Sequence, residues 1–213
     1  MEKLTISEVK QIFGEIKKVI DDNKEFLIKL DAAMGDGDLG LTMTAGFDAI
    51  VKEIKNTSDN DMGNVIAKMG MVMSNVAPST LGTLLATAMM RAGKIVKGYA
   101  EIGLKEIVDM GNAAINGIKQ RGKSEVGDKT ILDSLYPAIV ELDKAVKDNL
   151  TLDVAFEKAF KAAKEGFKKT ESMVSKHGRA AYYGEKSIGH PDSGAAVGML
   201  IFEGIYNFFS KNK

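Results

Sequence analysis

Apolar residues at Val9, Ile12, Phe13, Ile16, Val19 and Ile20 recur at spacings of three and four, which describes one face of an amphipathic helix. The same period returns over 25–34, 41–54, 62–76, 81–96, 107–118, 131–146, 154–174 and 195–209. No stretch sustains the alternation of a half-buried strand, so the pattern predicts an all-α chain. Of the three prolines, Pro78, Pro137 and Pro191, two fall in expected loops. Eight or so helices with short connections predict an antiparallel, up-and-down barrel or bundle. Heptads are not sustained and no longer repeat is visible, which sets aside coiled coils and solenoids. The connections richest in glycine and polar residues are 35–40, 77–83, 121–130 and 184–194. If alternate connections share one end of a bundle, several of these four meet there.

Composition narrows this picture. The 213 residues carry no Pro-, Ser- or charge-rich linker, so residues 1–213 read as one domain with a full core. Lys and Arg number 29 against 29 Asp and Glu, a balance that argues against nucleic-acid binding. Cysteine is absent, which excludes disulfides, thiolate-bound metal and a Cys nucleophile. The first residues, MEKLTISEVKQ, lack the apolar core of a signal peptide, and no run approaches a membrane span. A cytoplasmic protein is therefore expected. Twelve methionines and no tryptophan fit a core filled by flexible aliphatic side chains.

Four stretches carry candidate chemistry. In LDAAMGDGDLG, 30–40, Asp31 falls on the last turns of a helix that Gly35 and Gly37 break. Asp36 and Asp38 share a side if the segment is extended, and three converging carboxylates suit Mg²⁺ or Ca²⁺. Phe47 stands where an EF-hand needs its last Glu, so that motif is excluded. The plainer alternative is a polar loop in which one Asp caps the helix near Gly40. In APSTLGT, 77–83, Ser79 and Thr80 are natural caps of a helix whose first-turn amides also suit phosphate. GIKQRGKS, 117–124, matches the P-loop expression but follows a helical rather than a strand pattern, so Gly122 is read as a helix end. Just beyond, GDKTILD reads as a loop with Asp128 as cap of the next helix. Finally, 178–195 is the longest segment without helical period; it gathers Arg179, Lys186, His190 and Asp192, groups able to hold phosphate or, for Asp192, to cap the last helix. With only His177 and His190 present, a multi-histidine metal site is set aside.

In this order the motifs, D-x₄-D-x-D at 31–38, RGK…GDKT at 121–130 and GRA-x-Y-x-GE-x-SIGH-x-D-x-GA at 178–195, make the chain resemble the nucleotide-binding L subunit of the dihydroxyacetone kinase family. The resemblance runs over essentially the whole length. It implies an eight-helix antiparallel barrel with the nucleotide at one end, where Asp31, Asp36 and Asp38 hold two Mg²⁺ ions that carry the phosphates of ADP or ATP. By the same resemblance Leu39, Gly40, Leu41 and Thr42 lie along the phosphates, and Ser79 and Thr80 bind phosphate from the next helix. Gly122, Ile131, Arg179, Asp192, Ser193 and Gly194 surround the nucleoside. The acceptor sugar is held by a separate K subunit, and the donor is ATP or a phosphohistidine protein of the sugar phosphotransferase system.

Two departures accompany the resemblance. Leu39 stands where the family usually has His, which removes a hydrogen-bond donor beside the phosphates, and residues 77–81 read APSTL where the family has a GGASG-type loop. Both point to a divergent branch acting on another short ketose or sugar-like acceptor. The rival expectation is a module that binds Mg-ADP and docks on a partner without phosphoryl transfer, and a ligand-free helical scaffold is the third. Monomer and homodimer are both open at this level.

Overall fold

Thr5 opens the first helix through a capping box: its hydroxyl accepts from Ser7 N at 3.2 Å and its amide donates to Glu8 Oε2 at 2.8 Å. In the computed structural model, which describes residues 2–212, this pattern of local stops and starts produces nine α-helices among the described residues. They are α1 (Ile6–Asp22), α2 (Lys24–Ala32), α3 (Leu39–Lys55), α4 (Met62–Val76), α5 (Thr80–Ile95), α6 (Leu104–Gly122), α7 (Leu132–Lys147), α8 (Leu152–Lys169) and α9 (Ser193–Lys211). Ser79 caps α5 through Gly82 N at 3.1 Å, and Asp61 caps α4 through Gly63 N and Asn64 N at 2.9 and 3.1 Å.

Eight of these helices close a ring. Each packs on its neighbour in the order α1, α3, α4, α5, α6, α7, α8, α9, and α9 returns to α1; α2 is a nine-residue hook that leaves α1 at Asn23 and rests on α3 and α9. The expected up-and-down barrel is thus present. Because successive ring members run in opposite directions, α3, α5, α7 and α9 all begin at one end. The interior is filled by side chains such as Ile20, Met43, Ile50, Met69, Met73 and Leu142, all fully buried. Methionine here fills the core, as its flexible thioether allows.

Two details differ from the sequence pattern. Strands β1 (Lys3–Thr5) and β2 (Glu101–Gly103) pair antiparallel, Leu4 opposite Ile102. Three residues are too few to display a period of two, so this ladder left no alternation to read. The apolar period over 154–174 also overruns α8, which ends at Lys169 and passes into a 3₁₀ turn at Thr170–Ser172. Thr170 is fully buried, donates to Phe167 O at 2.6 Å and accepts from Asp192 N at 2.9 Å, so it fastens the turn to the start of α9. Among the described residues no helix is long and apolar enough to cross a membrane.

Pro137 lies inside α7 and has no N–H to donate to the carbonyl of Asp133 four residues earlier. Gly166 of α8 packs there: a methyl group at Gly166 would fall 2.1 Å from Asp133 O. Backbone cannot retreat as a side chain can. Gly166→Ala is therefore expected to destabilise the chain by about 2 kcal/mol, as overpacking does. The expected outcome is a melting temperature lower by roughly 4–8 °C, read by thermal denaturation monitored at the helical circular-dichroism band.

Candidate functional site

The four connections that precede α3, α5, α7 and α9 meet at one end. Together they line a cavity of about 600 Å³, with walls from Asp31 to Leu39, Pro78 to Leu81, Gly122 to Ile131, Ser175 to Ala180 and His190 to Gly194. This volume lies within the usual range of small-ligand sites. Each helix start also directs the positive end of its dipole and its free first-turn amides toward this end of the ring.

Asp31 occupies the last turn of α2, where a negative charge opposes the helix dipole. The following loop folds back over it. Gly35 N donates to Asp31 O at 2.6 Å, and Gly37 N donates to Asp31 Oδ2 at 3.0 Å. Gly37 takes φ of +74°, and a methyl at Gly35 would meet Asp31 Oδ1 at 2.8 Å, so both glycines are needed for this wrap. Ser193 Oγ of α9 donates to the other carboxylate oxygen at 3.1 Å. Asp36 pairs with Arg179, Oδ2 to Nη2 at 2.6 Å.

Asp38 stands at the N-cap of α3 yet caps nothing with its side chain. The cap reading of this loop therefore fails, and its carboxylate is free for another partner. One oxygen from each of Asp31, Asp36 and Asp38 lies within 4.8 Å of the others. Desolvation, then the charges of Asp36 and Asp31, push the Asp38 carboxyl above its ordinary pKa, and Arg179 opposes them. Opposed oxygens around Mg²⁺ stand about 4 Å apart, so three hard oxygens at this spacing fit such an ion with little movement.

On the opposite wall the connection from α6 to α7 is organised by Asp133 rather than by Asp128. Asp133 is nearly buried and accepts from Gly127 N at 2.6 Å and Thr130 N at 2.7 Å. The expectation that Asp128 caps α7 is corrected: Asp128 accepts from Glu125 N at 2.8 Å and pairs with Lys176 at 2.7 Å and His177 at 3.2 Å. Those partners, Lys176 first, hold its carboxyl down at about 2. The signal for Asp133 was present as Thr130-x-x-Asp133, the spacing of a capping box. Gly122 ends α6, followed by Lys123 in the left-handed region at φ of 52°, so the P-loop lookalike is a helix terminus.

The structure places Leu39, Ser79, Thr80, Gly122, Ile131, Arg179, Asp192, Ser193 and Gly194 on the cavity wall with the three aspartates. Gly40, Leu41 and Thr42 form the first turn of α3 behind it. Gly40 packs on α2, where a methyl would meet Lys24 O at 2.4 Å; Leu41 is exposed; Thr42 N donates to Asp38 O at 2.9 Å. Lys129, Ser175 and His177 also line the cavity, and sequence reasoning did not single them out as site residues. Lys129 lies in the GDKT motif without having been assigned a role, and Ser175 and His177 carry no motif; loops remote in sequence bring the three together.

Two outcomes follow from this geometry. Millimolar Mg²⁺ is expected to raise the melting temperature of the wild-type chain, and Asp38→Asn to abolish that rise while leaving the metal-free melting temperature unchanged or higher. Thermal denaturation with and without the metal checks this. The second concerns Asp192, which caps α9 through Ala195 N at 2.7 Å and whose carboxyl burial pushes up to about 7, assisted by Asp133 and opposed by Lys129. Its ordinary value is 3.8, so between these pH values the folded chain keeps a proton that the unfolded chain releases. Stability should fall as pH rises from about 4 toward about 7 and then level off. Asp192→Asn should flatten that decline in chemical denaturation measured across the window.

Residues 33–207 match the DAK2 domain. The chain is 33% identical over 185 residues to the PEP-dependent dihydroxyacetone kinase, ADP-binding subunit DhaL, of Escherichia coli, covering 87% of this chain and 88% of that protein. It is 34% identical over 193 residues to the ADP-binding subunit DhaL of PEP-dependent dihydroxyacetone kinase 1 of Listeria innocua, covering 89% of this chain and 88% of that one. The crystal structure of the dihydroxyacetone kinase from C. freundii in complex with AMP-PNP and Mg²⁺ superposes with a TM-score of 0.74 at 24% identity. That likeness covers 93% of this chain and 33% of the kinase, and it establishes the fold. With four-fifths of its length matched and its ring of helices shared, the chain belongs to the DAK2 domain family.

Proposed function

We propose that the chain is the Mg-nucleotide-binding subunit of a dihydroxyacetone-kinase-like phosphotransferase, which passes a phosphoryl group to a small ketose held on a separate K subunit. The observation that carries this reading is the meeting of three carboxylates, with oxygens within 4.8 Å, and the uncapped start of α3 at one cavity. Carboxylates alone repel phosphate. Carboxylates beside free helix amides make sense when a cation stands between them and an anion.

When bound, Mg²⁺ supplies charge neutralisation and alignment for phosphoryl transfer. Asp31, Asp36 and Asp38 are the residues to hold it, and two ions suit a nucleoside diphosphate. In this reading the free first-turn amides of α3 and the hydroxyls of Ser79 and Thr80, which line the cavity, donate to phosphate oxygens. Ser79 Oγ accepts from Gly82 N at 3.1 Å, so its own proton remains available for a phosphate oxygen. Arg179 adds a positive charge beside Asp36. Gly122, Ile131 and Gly194 supply a close wall for the nucleoside: a methyl at Gly194 would stand 3.1 Å from Asp192 Oδ2 and 3.4 Å from Ile131 N.

The donor is either ATP itself or a phosphohistidine protein of the sugar phosphotransferase system that recharges ADP; the dependence on PEP named for the Escherichia coli and Listeria innocua relatives supports a donor other than ATP. Leu39 favours a second reading, a Mg-ADP-binding module without transfer, because an aliphatic side chain on the cavity wall offers the phosphates no hydrogen bond.

Calorimetric titration of the nucleotide-stripped protein separates these readings in two steps. Binding of ADP or ATP is expected to require Mg²⁺ and to fall at least 100-fold in the Asp36→Asn/Asp38→Asn variant, a loss of about 2.7 kcal/mol or more. Absence of binding to either nucleotide would refute both readings. Phosphoryl transfer to dihydroxyacetone in the presence of a cognate K subunit then supports the kinase; binding without transfer supports the docking module.

A further inference from the structure

Lys129 is the one lysine among the described residues that is buried, at 3% exposure. Lysine is seldom buried without a carboxylate in direct contact; among the described residues the charges of Asp192 and Glu171 act on Lys129 without forming an ion pair, and burial lowers its pKa. Its backbone is also left-handed, at φ of 62°, a conformation that residues with a side chain rarely adopt. Two local costs at one residue call for a structural return.

The return is visible in what the ammonium touches. Nζ donates to Met173 O at 3.0 Å and to Ser187 O, the two ends of a surface loop that leaves and rejoins the body of the protein there. Ser175 N donates to Ser187 Oγ at 2.9 Å, and Ser187 Oγ donates to Gly184 O at 2.6 Å, closing the same neck. A second set of contacts holds the outgoing side: Lys176 N donates to Asp128 O at 3.2 Å, beside the pairs of Asp128 with Lys176 and His177. Between these ends the loop carries Gly178, Arg179 and Ala180 onto the cavity wall, and Arg179 reaches Asp36.

We propose that Lys129 is a positioning residue for nucleotide binding: its buried ammonium fastens the neck of the 173–187 loop and thereby delivers Arg179 to the acidic cluster. This deepens the Mg-nucleotide reading and rests on it. Lys129 does not need to touch the ligand. It converts a long loop, which would otherwise hold Arg179 in many places, into one with a fixed base.

The test is a double-mutant cycle on Mg-ADP affinity with Lys129→Met, Arg179→Ala and the double variant, read well below every melting temperature, together with amide hydrogen exchange of the ligand-free proteins. Lys129→Met is expected to weaken Mg-ADP binding about tenfold and to speed exchange at 174–186 selectively. The double variant should bind as Arg179→Ala does, because Lys129 acts through that residue. A merely structural lysine would lower the melting temperature and leave affinity unchanged, or its loss would add to that of Arg179→Ala; either result overturns the proposal. If Lys129→Met fails to fold, Ser187→Ala, which removes the hydroxyl from the same neck, enters the cycle with the same expectations. If the wild type binds no Mg-ADP, the nucleotide reading and this role of Lys129 in it both fall; unchanged exchange at 174–186 with wild-type binding intact overturns this inference alone.

Discussion

The constraint on which the rest depends is the parity of a closed ring. Eight helices that pack in sequence alternate in direction, and only an even number lets the last pack antiparallel on the first, as α9 does on α1. Once that closure exists, four helix starts share one end. Their dipoles and amides create there a region that favours negative charge in a ligand. The acidic residues of the loop after α2 then sit in a place where only a cation can reconcile them with an anionic guest.

Local chemistry exploits this arrangement with small residues at contacts that larger ones would block. Gly40 lets α3 approach α2, so that Asp38 at its start stands near Asp31 at the other helix's end. Gly37 in its positive-φ turn aims the intervening segment, and Ser193 ties α9 to the same carboxylate. The acidic cluster is therefore assembled by packing of three elements and not by the eight-residue motif alone. Desolvation, and after it repulsion from Asp36 and Asp31, raises the pKa of Asp38, a cost consistent with a group kept for binding rather than for stability.

Much of this was legible in the sequence because it repeats a strong period. The helices follow from apolar spacing, the caps from Ser79 and Asp192, and the four glycine-rich connections marked the cavity before its shape was known. What escaped depended on contacts between remote segments. Lys129 looks like an ordinary loop lysine until Met173 and Ser187 supply its acceptors. Asp128 looks like a cap until Lys176 and His177 arrive from another connection, leaving Asp133 to organise the turn. The β ladder was invisible for a different reason: it is shorter than the signal that would announce it.

That ladder braces the end remote from the cavity. Its strands lead into α1 and α6, which stand four places apart in the ring of eight, so the pairing of Leu4 with Ile102 crosses a diameter instead of following the circumference. A tie of this kind resists spreading of the staves at the floor of the barrel. Among the described residues the rim that carries the aspartates has no strand ladder; its connections are joined by side chains, Arg179 to Asp36 and Lys129 to Met173 and Ser187, and by the single backbone bond from Lys176 N to Asp128 O. Adjustment to a guest is thereby directed to the rim, while the floor keeps the spacing of the helices constant.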